Sequence, residues 1–419
     1  MQETAVTVDP NITDPAESTS AAQETSAPDA TGHRVGVAVV GLGGAVASTM
    51  VAGVELLRLG AVGSAGLPFA DRTELTPYES LRFGGWDLDP ADLAKAAQVH
   101  QVLEPAQLDL VAGHLETLTP WPAVADPRWC RNAGGANVVE ISSLRERIAR
   151  IRDDLQRFRT EQELDTVVVL NLASTEAVPP DTTFLADAAA LERAIDADDP
   201  AVTPGVLYAY AAISETCPYV NFTPGAGAES PALQHLAEQH GVPIAGRDGK
   251  TGQTMLKTVL APALRSRGLH VDGWYSTNLL GNRDGEILND PDSMASKVNT
   301  KGSVLDSMLG YAVDDHIVRI DYYRPRGDAK ESWDNIDLTG FLGGRMQLKL
   351  DFLCRDSVLA APLVLELVRM VVEAHRRGES GAQEQLGYFF KSPVTRDSRP
   401  PEHGFARQEQ TLNDWLDGR

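Results

Sequence analysis

Lysine is the residue type whose distribution along this chain most directly suggests chemistry. Of the 37 basic residues, 29 are Arg and only 8 are Lys. Seven of the eight lie at or after position 250: Lys250, Lys257, Lys297, Lys301, Lys330, Lys349 and Lys391. Where Arg otherwise supplies the surface charge, retained lysines suggest sites that need a compact ammonium with a tunable pKa. Codon usage and chance explain any single position equally well, but they explain the group less well.

Two of these lysines are spaced to share one face of a helix. Lys297 and Lys301 are four residues apart, and they follow a turn-forming stretch, residues 276–285, that is rich in Asn, Asp and Gly. Like charges at this spacing destabilise an isolated helix, so an anionic ligand is the natural reason to keep both.

The segment Gly246–Thr254 has the composition of a phosphate site at the start of a helix. It combines small residues, two hydroxyls and Lys250, and a helix N-terminus offers free N–H groups to a sugar phosphate. A P-loop is excluded, because the first glycine of that motif would have to stand where Ile244 does. An ordinary capped helix is the competing interpretation.

A second glycine-rich turn, near the N-terminus, predicts a dinucleotide site. The apolar run Val35–Val40 is typical of a buried parallel strand, and it leads into Gly41–Thr49 and a helical pattern from Met50 to Leu59. Val46 stands where the third glycine of the dinucleotide motif belongs. Because no clear strand with a terminal acidic residue follows about 20 positions later, a plain strand-to-helix turn stays open.

The elements that would position these residues alternate between strands and helices. Helices are predicted at Leu144–Thr160, Leu207–Ile213 and Ala232–His240, and strands at Thr166–Leu170, Tyr219–Phe222, Pro243–Ala245, Tyr311–Tyr323 and Arg345–Leu353. Polar residues follow the apolar strands, as expected where ligands bind beyond the carboxyl ends of a parallel sheet.

Composition excludes several classes of protein. With 419 residues, 42% hydrophobic and 23% charged, the chain is an ordinary globular protein of two or three domains. Its net charge of −22 would repel phosphodiester backbones, so no nucleic-acid partner is expected. No stretch approaches the ~20 apolar residues of a membrane span, so no membrane partner is expected either. Three cysteines are too few for a disulfide framework, which favours a reducing compartment.

Residues 1–33 contain neither Lys nor Arg and predict a disordered acidic tail. The tail lacks the basic and apolar regions of a secretion signal and the Arg content of a transit peptide. The expected location is therefore the cytoplasm.

From about Arg34 to the C-terminus the chain resembles the myo-inositol-phosphate synthase family, nearer its eukaryotic-type pattern than its shorter actinobacterial one. The resemblance rests on a series of short motifs in the family's order. They are the glycine loop, Phe83–Asp87, Ser174–Glu176, Gly246–Thr254, Leu280–Gly285, Ser296–Lys301, Gly327–Lys330, Cys354–Ser357 and Leu386–Pro393.

The resemblance implies NAD as cofactor, a hexose 6-phosphate as substrate, no metal and a homotetramer. The family oxidises C5 of the open-chain sugar phosphate, removes a proton from C6, closes the ring by an intramolecular aldol step and returns the hydride. Without a metal, each oxyanion or enolate needs a positioned cation or hydrogen-bond donor. A lysine whose pKa is depressed by neighbouring lysines can also move protons.

Matching the family's motifs implies roles for individual residues. The catalytic group comprises Lys297, Lys330, Lys391, Asp248 and Lys301. The phosphate-binding group comprises Thr251, Gly252, Gln253, Thr254 and again Lys301. The cofactor-binding group comprises Gly41, Leu42, Gly43, Gly44, Ala45, Val46, Asp87, Ser174, Asn282, Asp284 and Asp356.

Several positions depart from the family pattern, namely Ala45, Val46, Arg247, Met255, Leu279 and Arg283. The expected reaction converts glucose 6-phosphate to myo-inositol 3-phosphate. The departures leave three alternatives: cyclisation of fructose 6-phosphate to a five-membered carbocycle, a net dehydrogenase that releases NADH, and a non-catalytic binding homologue. Retention of all four lysines of the catalytic group, Lys297, Lys301, Lys330 and Lys391, argues against a non-catalytic homologue.

The expected architecture is an α/β fold, with a Rossmann-type doubly wound parallel sheet and a second α+β domain for catalysis and oligomerisation. The Rossmann domain is predicted to comprise residues 34–254 and 357–419, and the second domain residues 255–356.

Overall fold

The computed structural model describes residues 32–130, 134–225, 227–281 and 304–419. The predicted tail up to residue 31, the predicted cofactor residues Asn282 and Asp284, and the predicted catalytic lysines Lys297 and Lys301 lie outside the described residues.

The first sheet contains seven strands: β1 (Val35–Val40), β2 (Arg82–Asp87), β3 (Trp121–Pro122), β4 (Thr166–Asn171), β5 (Tyr219–Asn221), β6 (Pro243–Gly246) and β11 (Gly381–Ala382). Their order across the sheet is β11-β6-β5-β4-β1-β2-β3, and neighbouring strands pair in parallel. The chain runs outward from β1 through β2 to β3, and then returns to the other side of β1 for β4. The carboxyl ends of β1 and β4 therefore form the switch point at which such sheets bind ligands.

Helices cover both faces of this sheet, so that its strands can be apolar throughout. The helices that cover it are α1 (Ala45–Arg58), α2 (Leu93–His100), α3 (Pro105–Leu115), α4 (Leu144–Glu161), α5 (Ala188–Asp196), α6 (Pro204–Ser214), α7 (Pro231–His240) and α9 (Asp356–Arg376), and two further helices are α8 (Gln253–Ser266) and α10 (Phe405–Leu416). One apolar core joins the sheet to α4–α7, and a second joins its opposite face to α1–α3 and α9. All six residues of β1 are buried accordingly.

The second sheet has four strands: β7 (His270–Leu280), β8 (Asp315–Tyr322), β9 (Ala329–Thr339) and β10 (Arg345–Arg355). Their order is β10-β9-β7-β8, with β7 and β8 parallel and the other pairs antiparallel. One face packs on α8 and on the helical residues 304–309 through a third apolar core that includes Trp274 and Ile336. The opposite face carries exposed apolar side chains, among them Ile317, Trp333 and Leu353.

The two sheets confirm the predicted fold class, and one local expectation needs correction. Helix α1 begins at Ala45 rather than near Met50, because Gly44 already serves as its N-cap. As expected, no strand with a terminal acidic residue lies about 20 positions after the glycine loop within the described range 32–130; the next strand, β2, ends at Asp87. The two glycines of β2 weaken its sequence pattern as a strand. Gly85 has φ +150°, and a Cβ there would lie 2.0 Å from the Val39 carbonyl oxygen.

The domain boundaries remain predictions. The four strands of the second sheet lie within residues 270–355, whereas the expected boundary after residue 254 falls inside α8. In the described ranges, no helix combines the length and the hydropathy needed to cross a membrane.

A buried ion pair anchors α9 to the segment before β2. Glu366 and Arg369 are 0% and 2% exposed, and their side chains approach to 2.7 Å. Glu366 also accepts hydrogen bonds from the Tyr78 hydroxyl and the Phe69 N–H, while Arg369 donates to the carbonyls of Phe69, Arg72 and Thr76. The ion pair thereby fixes the long connection between α1 and β2 against α9.

We expect Glu366→Gln to lower the free energy of unfolding by about 3–5 kcal/mol, because it leaves the Arg369 guanidinium buried without a counter-charge. Urea denaturation measures this loss. The matched control is Glu373→Gln on the same helix, whose partner Arg377 is partly exposed, and its cost should stay below about 1 kcal/mol. Equal effects of the two variants would contradict the role given to the buried pair.

Candidate active site

A cavity of about 780 Å³ lies between the carboxyl edge of the first sheet and the second sheet. It is lined by residues at the ends of β1, β2 and β4, by the start of α8, and by residues of β7–β9. The predicted site residues that line it are Gly41, Gly43, Gly44, Ala45, Val46, Asp87, Ser174, Asp248, Thr251, Gly252, Gln253, Thr254, Lys330, Asp356 and Lys391. The fold thus brings together residues that are up to 350 positions apart in the chain.

The glycine loop turns tightly between β1 and α1. Gly41 has φ +90°, and the N–H groups of Gly41 and Leu42 both donate to the Trp86 carbonyl at 2.8 and 3.0 Å. Leu42 departs from its predicted role, because its side chain is 1% exposed and belongs to the apolar core. Only its backbone helps to shape the loop.

Asp87 connects the end of β2 to this loop. Its Oδ2 accepts a hydrogen bond from the Gly43 N–H at 2.8 Å, and a Cβ at Gly43 would lie 3.2 Å from the same carboxylate. The His100 ring lies 2.9 Å from the Gly43 carbonyl on the other side. The loop is therefore held from two sides, with a carboxylate at the position where dinucleotide sites bind a ribose hydroxyl.

The motifs Gly246–Thr254 and Leu386–Pro393 pair with each other along their backbones. The N–H of Lys250 donates to the Phe389 carbonyl, that of Lys391 to the Asp248 carbonyl, and that of Arg247 to the Ser392 carbonyl, at 2.7–2.9 Å. This pairing places the Lys391 ammonium 2.8 Å from Asp248 Oδ1, with the two side chains only 14% and 5% exposed. Asp248 Oδ2 is buried and has no hydrogen-bond partner among the described residues.

A second lysine–carboxylate pair also lines the cavity. Lys330, near the start of β9, approaches Asp356 Oδ2 at 3.4 Å. Asp356 Oδ1 accepts a hydrogen bond from the Thr251 hydroxyl at 3.0 Å. Asp356 opens α9, where the positive end of the helix dipole favours a carboxylate. The structure therefore links Asp356, predicted to bind the cofactor, directly to a catalytic and a phosphate-binding candidate.

The predicted phosphate residues form the N-terminus of α8. Gly252 is the N-cap and has no side chain to occupy the free N–H groups of the first turn. These groups can accept an anion. The side chain of Gln253 is instead 5% exposed and hydrogen-bonded to Asp334 and Asn278.

Lys250 lies within the phosphate motif, but its ammonium does not line the cavity. It is 3% exposed, donates to Gln408 Oε1 at 2.5 Å, and lies over the rings of Tyr388 and Phe405. Burial lowers the pKa of Lys250 to about 7. The composition of the motif suggested a phosphate contact, whereas the structure uses this side chain to hold α10.

Four acidic residues that were not assigned from sequence also line the cavity: Asp89, Asp126, Glu176 and Asp328, of which the last two belong to matched motifs. Asp328 accepts a hydrogen bond from the Ser357 hydroxyl at 2.7 Å, and Glu176 accepts one from the Gly205 N–H at 2.9 Å. Burial raises the pKa of Glu176. Both belong to matched motifs, Gly327–Lys330 and Ser174–Glu176, so their positions in these motifs were the available signal.

Comparison with known proteins agrees with this arrangement. The family described as Myo-inositol-1-phosphate synthase matches residues 61–417. Inositol-3-phosphate synthase 1 of Bacteroides thetaiotaomicron is 41% identical over 410 residues, covering 91% of this chain and 96% of the relative. The Dictyostelium discoideum inositol-3-phosphate synthase is 33% identical over 352 residues, covering 78% of this chain and 68% of its own.

Solved structures give the same result. Inositol-3-phosphate synthase from Caenorhabditis elegans superposes with a TM-score of 0.86 at 27% identity, over 92% of this chain and 85% of that chain. A myo-inositol-1-phosphate synthase-related protein from Thermotoga maritima superposes with a TM-score of 0.76 at 27% identity, over 92% and 99% of the two chains. Sequence, fold and cavity together establish that the chain belongs to the myo-inositol-1-phosphate synthase family.

Proposed function

We propose that this chain converts glucose 6-phosphate to inositol 3-phosphate by oxidation, enolisation, intramolecular aldol closure and reduction, with NAD as cofactor. The observation that carries the proposal is the meeting of two lysine–carboxylate pairs, a glycine loop and an open helix N-terminus in one cavity. Each part answers one requirement of the reaction: charge stabilisation, cofactor binding and phosphate binding.

The residues around the glycine loop fit NAD. Gly41, Gly43 and Gly44 let the backbone approach a pyrophosphate at the start of α1, and Asp87 can bind the adenosine ribose. When bound, NAD supplies the acceptor for the hydride from C5 and returns that hydride at the end. Ser174 lines the cavity after β4, on the opposite side of the switch point from Asp87.

The two lysines support charge development on the sugar. Lys391, held by Asp248, and Lys330, held by Asp356, present ammonium groups to oxygens that become anionic during enolisation and ring closure. Asp248 itself also lines the cavity, beside the ammonium that it holds. Lys297 and Lys301 remain predicted members of the same group.

The departures from the family pattern bear on the substrate. Among described residues, Arg247, Met255 and Leu279 do not line the cavity. Arg247 turns toward Glu229, at 3.1 Å, and the Pro224 carbonyl. Ala45 and Val46 do line it, but they lie in the first turn of α1 beside the glycine loop. The changes therefore fall mainly away from the lysine pairs, which favours glucose 6-phosphate over fructose 6-phosphate.

Product analysis tests the reaction. With catalytic NAD and either glucose 6-phosphate or fructose 6-phosphate, we expect only the former to be consumed, with inositol 3-phosphate as the product by phosphorus NMR. Because the hydride is returned, absorbance from NADH should not accumulate. A carbocycle from fructose 6-phosphate would move the assignment to the specialised cyclase, and NADH formed in step with product would move it to a dehydrogenase.

We expect Lys330→Ala and Lys391→Ala each to reduce turnover by about a hundred- to a thousandfold, because each removes a cation from a transition-state oxyanion. NAD affinity, measured by equilibrium titration, should change little. Arg193→Ala is the control, since Arg193 is exposed on α5 and outside the cavity.

Loss of Lys391 leaves the buried Asp248 carboxylate unpaired, so a companion variant separates catalysis from folding. The pair Lys391→Met with Asp248→Asn removes both charges and should recover thermal stability while turnover stays lost. Near-normal turnover in this double variant or in Lys330→Ala would refute the catalytic assignment.

We also propose that the chain forms a homotetramer in the cytoplasm, where its sugar phosphate and NAD are available. The open face of the second sheet supports self-association. Its side chains include Ile317, Trp333 and Leu353, which are 44%, 39% and 60% exposed, and contiguous exposed apolar patches commonly mark interfaces. Phe341 and Leu342, at the β9–β10 turn, are about 90% exposed.

Light scattering tests the assembly. The wild-type protein should have the mass of four chains at micromolar concentration. The double variant Ile317→Asp with Trp333→Asp should have a lower mass, because assembly would bury two unpaired carboxylates at the interface. Leu110→Asp, on an exposed position of α3, should leave the mass unchanged. A monomeric wild-type protein would contradict the proposal.

A further inference from the structure

A carboxylate lies buried on the covered face of the second sheet, behind the phosphate site. Asp334 on β9 is 3% exposed. Its Oδ1 accepts hydrogen bonds from the Trp274 indole N–H at 2.7 Å and from the Ser276 hydroxyl at 2.5 Å. Burying a carboxylate is costly unless donors surround it, so this group needs a specific reason to be there.

Gln253 connects this carboxylate to the start of α8. Its Nε2 lies 3.2 and 3.1 Å from the two oxygens of Asp334, and its Oε1 accepts a hydrogen bond from Asn278 Nδ2 at 2.9 Å. Gln253 is the first residue of α8, directly after the N-cap Gly252. Both the nitrogen and the oxygen of its side-chain amide are therefore hydrogen-bonded to the second sheet, while its backbone forms part of the proposed phosphate site.

The groups at the two ends of this hydrogen-bond network, the Trp274 indole and the Arg319 carbonyl, determine which atoms between them donate and which accept. The Trp274 indole can only donate, so the group at position 334 must accept. At the other end, Asn278 Nδ2 also donates to the Arg319 carbonyl at 3.4 Å, which can only accept. Gln253 is thereby held with its nitrogen toward Asp334 and its oxygen toward Asn278.

A neighbouring lysine balances the charge of this network. Lys257, one turn further along α8, is 3% exposed and lies 2.8 Å from His316 Nε2. Burial lowers the pKa of Lys257 to about 8, against the opposing effect of Asp334. The first turns of α8 thus carry two side chains, Gln253 and Lys257, that are attached to polar groups of the second sheet.

We propose that Asp334 is a positioning residue for the sugar phosphate: acting through Gln253, it holds the first turn of α8 so that its free N–H groups line the cavity. This inference rests on the proposed function, because it assigns the phosphate of that substrate to the α8 N-terminus. The side chain of Gln253 is an anchor in this arrangement, and the backbone of residues 252–254 makes the contact with the anion.

The test compares Asp334→Asn, Gln253→Glu and their combination in the full chain with NAD. Asp334→Asn places an N–H₂ group against Gln253 Nε2, and we expect about a tenfold rise in the KM for glucose 6-phosphate and in the inhibition constant of inorganic phosphate. The value of kcat should stay within about twofold, and the Kd of NAD should not change. Gln253→Glu sets two carboxylates against each other and should weaken phosphate binding further.

The combined variant is the decisive one. The amide introduced by Asp334→Asn keeps its oxygen toward Trp274 and Ser276 and donates to the carboxylate introduced by Gln253→Glu. That carboxylate still accepts from Asn278, so the order of donors and acceptors is restored. The combined variant should bind inorganic phosphate at least about tenfold better than Gln253→Glu alone, a non-additive result. Asp272→Asn, at an exposed position on β7, is the matched control and should behave as wild type.

Three outcomes would overturn the inference. One is an unchanged KM and phosphate inhibition constant in Asp334→Asn. Another is additive losses in the combined variant. The third is a parallel fall of kcat, NAD affinity and phosphate affinity, since that indicates general damage to the fold. If the wild-type protein turns over no glucose 6-phosphate, the proposed function fails, and the comparison of inorganic phosphate binding still decides the role of Asp334.

Discussion

A lysine that is taken out of water keeps its ammonium charge most readily beside a carboxylate, and this constraint shapes the candidate active site. The ammonium of Lys391, a proposed catalytic cation, lies 2.8 Å from Asp248, and the two meet because the segment around residue 248 pairs with the segment around residue 391. One backbone pairing therefore positions both members of this ion pair. Lys330 of β9 and Asp356 of α9 form a second such lysine–carboxylate pair.

Two other lysines show what happens without a directly bound carboxylate. Lys250 and Lys257 are more deeply buried than Lys330 and Lys391, and their pKa values fall toward neutrality. Both are fixed to neighbouring elements, Lys250 to α10 and Lys257 to β8. These four lysines thus divide into two that face the cavity, Lys330 and Lys391, and two that attach neighbouring elements to each other, Lys250 and Lys257.

The cavity combines parts of both sheets, and this explains why its walls need such attachments. The first sheet supplies the glycine loop and the ends of β1, β2 and β4, whereas the second supplies Lys330 and the covered network around Asp334. Helix α8 runs between them, with its N-terminus in the cavity and its apolar side in the core of the second sheet. A small shift of α8 would move the proposed phosphate site relative to the lysines, and the hydrogen bonds of Gln253 to Asp334 and Asn278 oppose such a shift.

Local sequence determined much of the fold. The all-apolar runs of β1 and β4, the amphipathic repeat of α4 and the small-residue turns were recognisable because period and composition act over a few residues. The strand β2 was not recognised because its glycines reflect tertiary contacts: Gly85 lies against the backbone of Val39 on β1, and Gly84 lies against the rings of Trp121 and Phe158. The site residues were identified through short family motifs, and fifteen of the sixteen predicted residues in the described ranges line one cavity, Leu42 being the exception.

What only the tertiary structure decided is the partner of each side chain. No spacing rule could pair Lys391 with Asp248 or Gln253 with Asp334, because those contacts are made between segments separated by 143 and 81 positions. The same holds for Lys250, whose place in a phosphate-like motif gave no sign that its side chain points to α10. Residue types and local periods lie in the sequence itself, whereas the direction in which a side chain points depends on which distant segment packs against it.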